Sequence, residues 1–161
     1  MAENKTVRSI ASQLIEKGDT LSVAESCTGG LVGSILTAVP GASQWFLGGV
    51  TAYSNGIKLS LLGVSENTLE LKGAVSEETA VEMAAGMRRL SSSSYSLSVT
   101  GIAGPSGGTA DKPVGTVCMA ICSGSEVLSC MRCFEGDRDM VRSKAAEYLL
   151  EWFSGYLSGG D

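Results

Sequence analysis

The feature of this sequence that most constrains its fold is a strand pattern that runs through a polar turn into a helix pattern. Residues 20–24 (TLSVA) predict a short strand, and the polar turn 25–30 (ESCTGG) follows it. Apolar residues then recur over 31–39, until Pro40 ends the helix. A strand followed by a helix in this way is a βα unit, which builds parallel sheets whose faces are covered by helices.

The remaining elements extend this unit into a layered α/β fold. Strands are predicted over 45–53, 95–100, 114–122 and 126–134, and further helices over 7–16, 57–62, 77–90 and 138–157. The predicted N-caps are Ser65, Ser76 and Asp137. We expect a three-layer α/β/α sandwich with a mixed β-sheet, in which βα crossovers build a parallel part and a hairpin adds an antiparallel part. The 161 residues fit a single domain, 1–161.

The sequence contains no histidine, and this absence narrows the chemistry available to it. A Ser-His-Asp or Cys-His nucleophile system is excluded, as are metal sites that need an imidazole ligand. If the protein is an enzyme, its proton shuttle must be Lys, Tyr, Asp, Glu or Cys. The five scattered cysteines favour reduced thiols over a disulfide framework, and we expect no metal ion and no cofactor.

Charge and hydropathy set the expectations for partners and location. The net charge of −5 comes without the basic stripe of a nucleic-acid binder, so no nucleic-acid partner is expected. The small cluster of Arg138, Arg142 and Lys144 suits one small anionic ligand instead. No apolar run reaches the ~20 residues that span a bilayer, and the N-terminus lacks a secretory signal. We therefore expect a cytoplasmic protein without a membrane partner, and Trp45, taken as an exposed apolar residue, favours a homo-oligomer.

The turn 25–30 is the first segment that could carry chemistry. Ser26 stands where a strand gives way to a helix, which is where a nucleophile would be exposed. At the start of this helix, several backbone N–H groups should lack helical partners and could therefore hold an oxyanion. They are those of Thr28, Gly29 and Gly30. Two alternatives remain open: Ser26 could merely cap the helix, or Cys27 could be the nucleophile. Adjacent residues that leave a strand point in opposite directions, and a thiol without an activating group is more often buried.

Three further segments place polar groups at predicted strand ends, where ligands bind in open α/β sheets. The segment 51–58 gathers the side chains of Tyr53, Asn55 and Lys58, and a desolvated lysine could accept a serine proton. Otherwise Lys58 is an ordinary surface lysine. The glycine-rich loop after strand 95–100 and the start of the last helix could hold a phosphate through Thr100, Gly101, Gly104 and Arg138. An exposed arginine at a helix start explains Arg138 equally well.

Together these segments resemble the CinA C-terminal domain family, the nicotinamide-nucleotide amidases. The matching stretches are AESCTGG (24–30), VTAYSNGIK (50–58), GAVSEETA (73–80), SVTGIAGPSGG (98–108), KPVGTV (112–117) and FEGDRDMVR (134–142). They occur in the family's order and cover nearly the whole chain. Because the chain begins directly at the family's first helix, we expect the stand-alone form of the domain.

The resemblance implies hydrolysis of the carboxamide of nicotinamide mononucleotide to nicotinate mononucleotide and ammonia. In the scheme that we expect, Ser26 is the nucleophile, Lys58 is its base and Tyr53 relays or donates a proton. The N–H groups of residues 28–30 stabilise the oxyanion. The phosphate or ribose is held by Thr100, Gly101, Gly104 and Arg138, with Asn55 as a further substrate-binding residue. Direct attack of water activated by Tyr53 and Lys58 is an alternative route within the same activity.

Two other classes of function compete with an amidase. A non-catalytic nucleotide-binding or regulatory module, linked to competence or DNA damage, predicts ligand-induced thermal stabilisation without release of ammonia. A structural partner subunit would use the Trp45–Phe46 strand and the helix 77–90 as its interface.

Overall fold

A computed structural model describes residues 4–160 of the protein. The helices are α1 (Lys5–Lys17), α2 (Leu31–Thr37), α3 (Asn55–Leu62), α4 (Glu66–Lys72), α5 (Glu77–Ser91) and α6 (Arg138–Leu157). The strands are β1 (Leu21–Glu25), β2 (Phe46–Thr51), β3 (Tyr95–Gly101), β4 (Thr116–Cys122) and β5 (Val127–Cys133). No helix within residues 4–160 is both long enough and apolar enough to cross a bilayer.

The five strands form one mixed sheet in the order β2-β1-β3-β4-β5. Strand β1 is parallel to β2 and to β3, whereas β4 is antiparallel to both of its neighbours. Helices α1, α2 and α6 lie on one face of the sheet, and α3, α4 and α5 lie on the other. The predicted α/β/α sandwich with a parallel part and an antiparallel hairpin is therefore confirmed.

Strand residues alternate between the two layers, as the period of two requires. In β1, Val23 belongs to the apolar cluster beneath α6, while Ala24 belongs to the cluster with α3 and α5. In β4, Cys118 and Cys122 share the face that packs on α5 and are buried there as thiols. The N-caps Ser65, Ser76 and Asp137 form as predicted, each accepting a hydrogen bond from the backbone three residues on.

Trp45 is the clearest departure from the sequence-based expectation. It precedes β2 instead of belonging to it, and its side chain is fully buried at 0% exposure in the core shared with α1, α2 and α6. Its carbonyl accepts a hydrogen bond from the Leu21 N–H at 2.8 Å, which ties its backbone to the first residue of β1. The expected homo-oligomer thus loses the residue on which it rested. The structural-subunit hypothesis also loses support for its predicted helix interface, because Met83 and Met87 of α5 are buried in the core.

Gly86 allows α5 to approach α3, the helix that carries Lys58. A Cβ atom at this position would overlap the carbonyl oxygen of Leu62, the last residue of α3. We expect Gly86→Ala to lower the free energy of unfolding by about 2–3 kcal/mol, because the overlap is with backbone that cannot rotate away. Denaturant unfolding measures this. The control is Gly155→Ala in α6, where nothing lies within 4 Å and the loss of glycine should raise stability by about 0.5–1 kcal/mol. Equal effects at both positions would contradict the role of Gly86.

Candidate active site

The candidate site lies at the carboxyl end of β1, between β2 and β3. The N–H of Ser26 extends the sheet by donating to the Val99 carbonyl at 2.9 Å, and the Ala52 N–H donates to the Glu25 carbonyl at 2.8 Å. These two hydrogen bonds fix the backbone just beyond the last residue of β1. Helix α3 begins after β2, with Ser54 as its N-cap, and returns Lys58 to the same strand end.

Ser26 and Lys58 are in direct contact, although 32 positions separate them in the chain. The Lys58 Nζ lies 3.0 Å from the Ser26 Oγ, 2.8 Å from the carbonyl oxygen of Ala52 and 3.2 Å from that of Tyr53. Lys58 is 1% exposed and Ser26 is 8% exposed. The structure thus brings together the two residues that the sequence assigned to nucleophile and base.

The three partners of the Lys58 nitrogen match the three donors of an ammonium and are also compatible with an uncharged amine. A neutral amine has two N–H donors and one lone pair. The carbonyls of Ala52 and Tyr53 can take the two donors, which leaves the lone pair directed to the Ser26 hydroxyl. Burial lowers the pKa of Lys58, because removal from water disfavours the charged ammonium. No carboxylate is among its hydrogen-bond partners within residues 4–160.

Cys27, the rival nucleophile, points away from Lys58. Its side chain is 6% exposed and belongs to the apolar cluster beneath α6. Burial raises the pKa of its thiol to about 11, so the thiolate is scarce at neutral pH. Ser26 and Cys27 therefore face opposite sides at the end of β1. The Ser26 hydroxyl faces Lys58 of α3, and the Cys27 thiol packs in the core.

Glu25, the last residue of β1, holds the turn after Ser26 and was not singled out from the sequence. Its carboxylate is 3% exposed and accepts hydrogen bonds from the Thr28 hydroxyl (2.6 Å) and from the N–H groups of Val32 (2.8 Å) and Gly33 (3.1 Å). A buried carboxylate with three donors fixes the relative position of β1 and α2. The sequence feature that could have identified Glu25 is an acidic residue at the end of a strand whose other residues are buried.

The backbone N–H groups of the turn are only partly available to a ligand. The Gly29 N–H donates to the Ser26 carbonyl at 3.0 Å, so the expectation that it is free is wrong. A tight turn closes there, helped by positive φ angles of 60° at Gly29 and 100° at Gly30. Within residues 4–160, the N–H groups of Thr28 and Gly30 make no hydrogen bond to the protein. They remain the candidate oxyanion donors.

Tyr53, Arg138 and Gly104 form a polar link beside the site. The Arg138 Nη2 donates to the Tyr53 hydroxyl at 3.0 Å, and its Nη1 donates to the Gly104 carbonyl at 2.7 Å. Tyr53 is 60% exposed and Arg138 is also exposed. The start of α6 thus turns its arginine back to the strand-end loops, while the Tyr53 carbonyl contacts Lys58.

Three other residues predicted to bind substrate lie in three different environments. Thr100 is 1% exposed, and its hydroxyl donates to the Ala74 carbonyl at 2.8 Å on the α5 side of the sheet. This donor is in use inside the fold, which speaks against the phosphate-binding role expected for it. A Cβ atom at Gly101 would lie 2.8 Å from the Thr116 carbonyl oxygen, so that glycine serves close contact between β3 and β4. Asn55 is exposed in the first turn of α3.

Arg142 contacts the turn from α6 and was identified from the sequence only as part of a basic cluster. Its Nε donates to the Cys27 carbonyl at 3.2 Å, and its Nη2 donates to the Thr28 carbonyl at 3.0 Å. A weaker ion pair joins it to the exposed Asp139 at 3.6 Å. The guanidinium thus binds backbone on the side of the turn that faces α6.

The sequence and the fold of the chain match one known family. The sequence model of the family described as "CinA C-terminal domain" matches residues 3–157, and the chain therefore belongs to that family. The crystal structure of the competence/damage inducible protein CihA from Agrobacterium tumefaciens superposes with a TM-score of 0.91 at 38% identity, covering 96% of this chain and 94% of that one. A competence damage-inducible protein A from Klebsiella pneumoniae gives a TM-score of 0.93 at 34% identity, covering 96% of both chains.

Curated relatives fall into two lengths. The CinA-like protein of Thermotoga maritima is 46% identical over 98% of this chain, yet the chain spans only 38% of that relative. The nicotinamide-nucleotide amidohydrolase PncC of Shigella flexneri is 45% identical over 88% of this chain, and 87% of that relative is covered. The chain thus spans about a third of the longer relatives and most of the shorter one.

Proposed function

We propose that this protein hydrolyses the carboxamide of nicotinamide mononucleotide, giving nicotinate mononucleotide and ammonia. The observation that carries the proposal is the buried contact of 3.0 Å between the Lys58 Nζ and the Ser26 Oγ. A histidine-free chain with a lysine held against a serine has the nucleophile and base that amide hydrolysis requires. The amidohydrolase named among its relatives supports the choice of substrate.

In the proposed reaction, neutral Lys58 takes the proton of Ser26 as the Oγ attacks the carboxamide carbon. The negative charge that develops on the carbonyl oxygen is stabilised by the N–H groups of Thr28 and Gly30. The Lys58 ammonium then returns its proton to the nitrogen that leaves as ammonia. Water hydrolyses the resulting ester in the second half of the reaction, with Lys58 again acting as base. The Tyr53 hydroxyl can donate or relay a proton at the mouth of the site.

Arg138 is the candidate group for the substrate phosphate, since its exposed guanidinium lies beside the site and suits bidentate contacts. We expect Arg138→Met to raise KM for nicotinamide mononucleotide by about 10- to 100-fold, because the substrate loses one charged hydrogen bond or ion pair. The change in kcat should be smaller. The control is Arg132→Met on β5, whose guanidinium contacts Tyr148 instead. Steady-state kinetics measure both variants. An unchanged KM in Arg138→Met would contradict the phosphate-binding role.

The decisive experiment is release of ammonia from nicotinamide mononucleotide by the purified protein, with nicotinate mononucleotide identified as the other product. The competing function is a nucleotide-binding regulatory module. Nicotinamide mononucleotide that raises the melting temperature without any release of ammonia would favour that module and overturn the amidase.

A further inference from the structure

We infer that Arg142 is a positioning residue of the oxyanion hole: it holds the peptide between Cys27 and Thr28 with its N–H directed to the reaction centre. This inference rests on the proposed amidase function. It concerns a residue that donates to backbone carbonyls and, in this arrangement, need not touch the substrate.

The carbonyls of Cys27 and Thr28, the two residues that follow the nucleophile, both accept hydrogen bonds from Arg142. The Cys27 carbonyl accepts from Nε at 3.2 Å, and the Thr28 carbonyl accepts from Nη2 at 3.0 Å. Arg142 lies on α6, in the layer where the Cys27 side chain is buried. The planar fork of a guanidinium matches two acceptors at once, which a single ammonium cannot do with the same geometry. The side chain is 31% exposed, so solvent weakens these bonds only in part.

A trans peptide directs its C=O and N–H groups in opposite directions. When Arg142 holds the Cys27 carbonyl on the α6 side, the Thr28 N–H must point to the other side of the turn. The Ser26 hydroxyl and Lys58, which comes from α3, lie on that side of the sheet. The next peptide obeys the same rule, because its carbonyl faces Arg142 and its Gly29 N–H turns back to the Ser26 carbonyl at 3.0 Å.

Of the two candidate oxyanion donors, Thr28 N–H and Gly30 N–H, the Thr28 N–H is the one that Arg142 orients. Within the described part of the chain it has no protein acceptor, whereas the Thr28 hydroxyl is held by the Glu25 carboxylate at 2.6 Å. Glu25 fixes the side chain of Thr28 and Arg142 fixes its backbone, so rotation of the Cys27–Thr28 peptide is opposed from both sides. Without Arg142, rotation of this peptide would present a carbonyl oxygen to the developing oxyanion and repel it.

The test compares Arg142→Ala, Arg142→Lys and wild-type protein in hydrolysis of nicotinamide mononucleotide. We expect Arg142→Ala to lower kcat by on the order of a hundredfold, the usual cost of one oxyanion donor, with KM changed by less than about threefold. Arg142→Lys should keep more activity than Arg142→Ala, and added guanidinium ion should restore part of kcat in Arg142→Ala alone. The matched control Arg132→Ala should keep wild-type kinetics and show no response to guanidinium.

The outcomes separate this inference from the proposed function. Wild-type protein that releases no ammonia would overturn the amidase and the inference with it. An active wild type whose Arg142→Ala variant keeps its kcat overturns the inference alone, and a rise confined to KM would assign Arg142 to substrate binding. A lowered melting temperature with normal kcat per folded molecule would reduce it to a structural contact. Guanidinium rescue of kcat is the readout that neither of those roles produces.

Discussion

Replacing Ser26 by alanine should lower kcat for hydrolysis of nicotinamide mononucleotide by ~10⁴-fold or more. Loss of the nucleophile removes the covalent route. The residual rate then comes from substrate binding and from oxyanion stabilisation during direct attack of water. The fold should change little, since within residues 4–160 the Ser26 hydroxyl is hydrogen-bonded to Lys58 alone and the backbone hydrogen bonds of Ser26 are kept. Ammonia release and circular dichroism measure the two effects separately.

The control for this variant is Ser34→Ala, an exposed serine on the neighbouring helix α2, which should keep full activity. Rapid quenching of the wild-type reaction followed by mass spectrometry should find the acyl group on the peptide that contains Ser26. Activity of Ser26→Ala within tenfold of wild type, with no acylated peptide, would contradict the nucleophile role. Water activated by Lys58 and Tyr53 would then be the route.

The second large effect is expected at Lys58. Lys58→Met should lower kcat by about 10²- to 10⁴-fold, the range for a general base. Lys58→Arg should be comparably inactive, because a guanidinium stays protonated and cannot accept the Ser26 proton. Lys17→Met, at the opposite end of β1, is the matched control and should be unaffected.

The pH dependence distinguishes a base from a structural lysine. Wild-type kcat/KM should fall tenfold per pH unit below the pKa of Lys58, because the reaction requires the neutral amine. Burial lowers that pKa, so the acid limb should lie below the ~10.4 of an ordinary lysine. Lys58→Met should lack this limb. A wild-type and a Lys58→Met profile of the same shape would remove Lys58 from the base role.

Lys58 also links stability to pH. Its pKa is lower in the folded than in the unfolded state, so the unfolded protein binds more protons between these two values. This destabilising contribution is fully present below the folded pKa and fades as pH rises to about 10.4. Any advantage of Lys58→Met over wild type in the free energy of unfolding should therefore shrink as pH rises through this window. An advantage that grows with pH would contradict a neutral Lys58 in the folded protein.

The local patterns predicted most helix and strand positions but not all of their ends. Helix α6 begins and ends where its apolar spacing and the Asp137 cap indicated. Strand β2 ends at Thr51 instead of residue 53, because Ala52 and Tyr53 turn their carbonyls to Lys58. Helix α4 was marked from the sequence only by its cap, Ser65, since seven residues are too few to show a helical period.

The candidate site could be predicted where the composition left few side chains able to do the chemistry. Without histidine, a lysine near the strand end was the best available base, and the alternation at residues 26 and 27 separated serine from cysteine. Thr100 lies in β3, and the alternation along that strand places it on the same face as Ser96 and Ser98, but the acceptor of its hydroxyl could not be predicted. Its bond to the Ala74 carbonyl depends on how the loop before α5 packs.

The sequence by itself determined the succession of elements and the types of side chain that could do chemistry, because periods of 2 and 3.6 residues and the composition are local properties. Only the tertiary structure decided that Lys58 is buried against Ser26, that Trp45 lies in the core, and that Arg142 binds the backbone of the nucleophile turn. These contacts join residues far apart in the chain. Their presence depends on the packing of α3 and α6 against the sheet, which no single segment encodes.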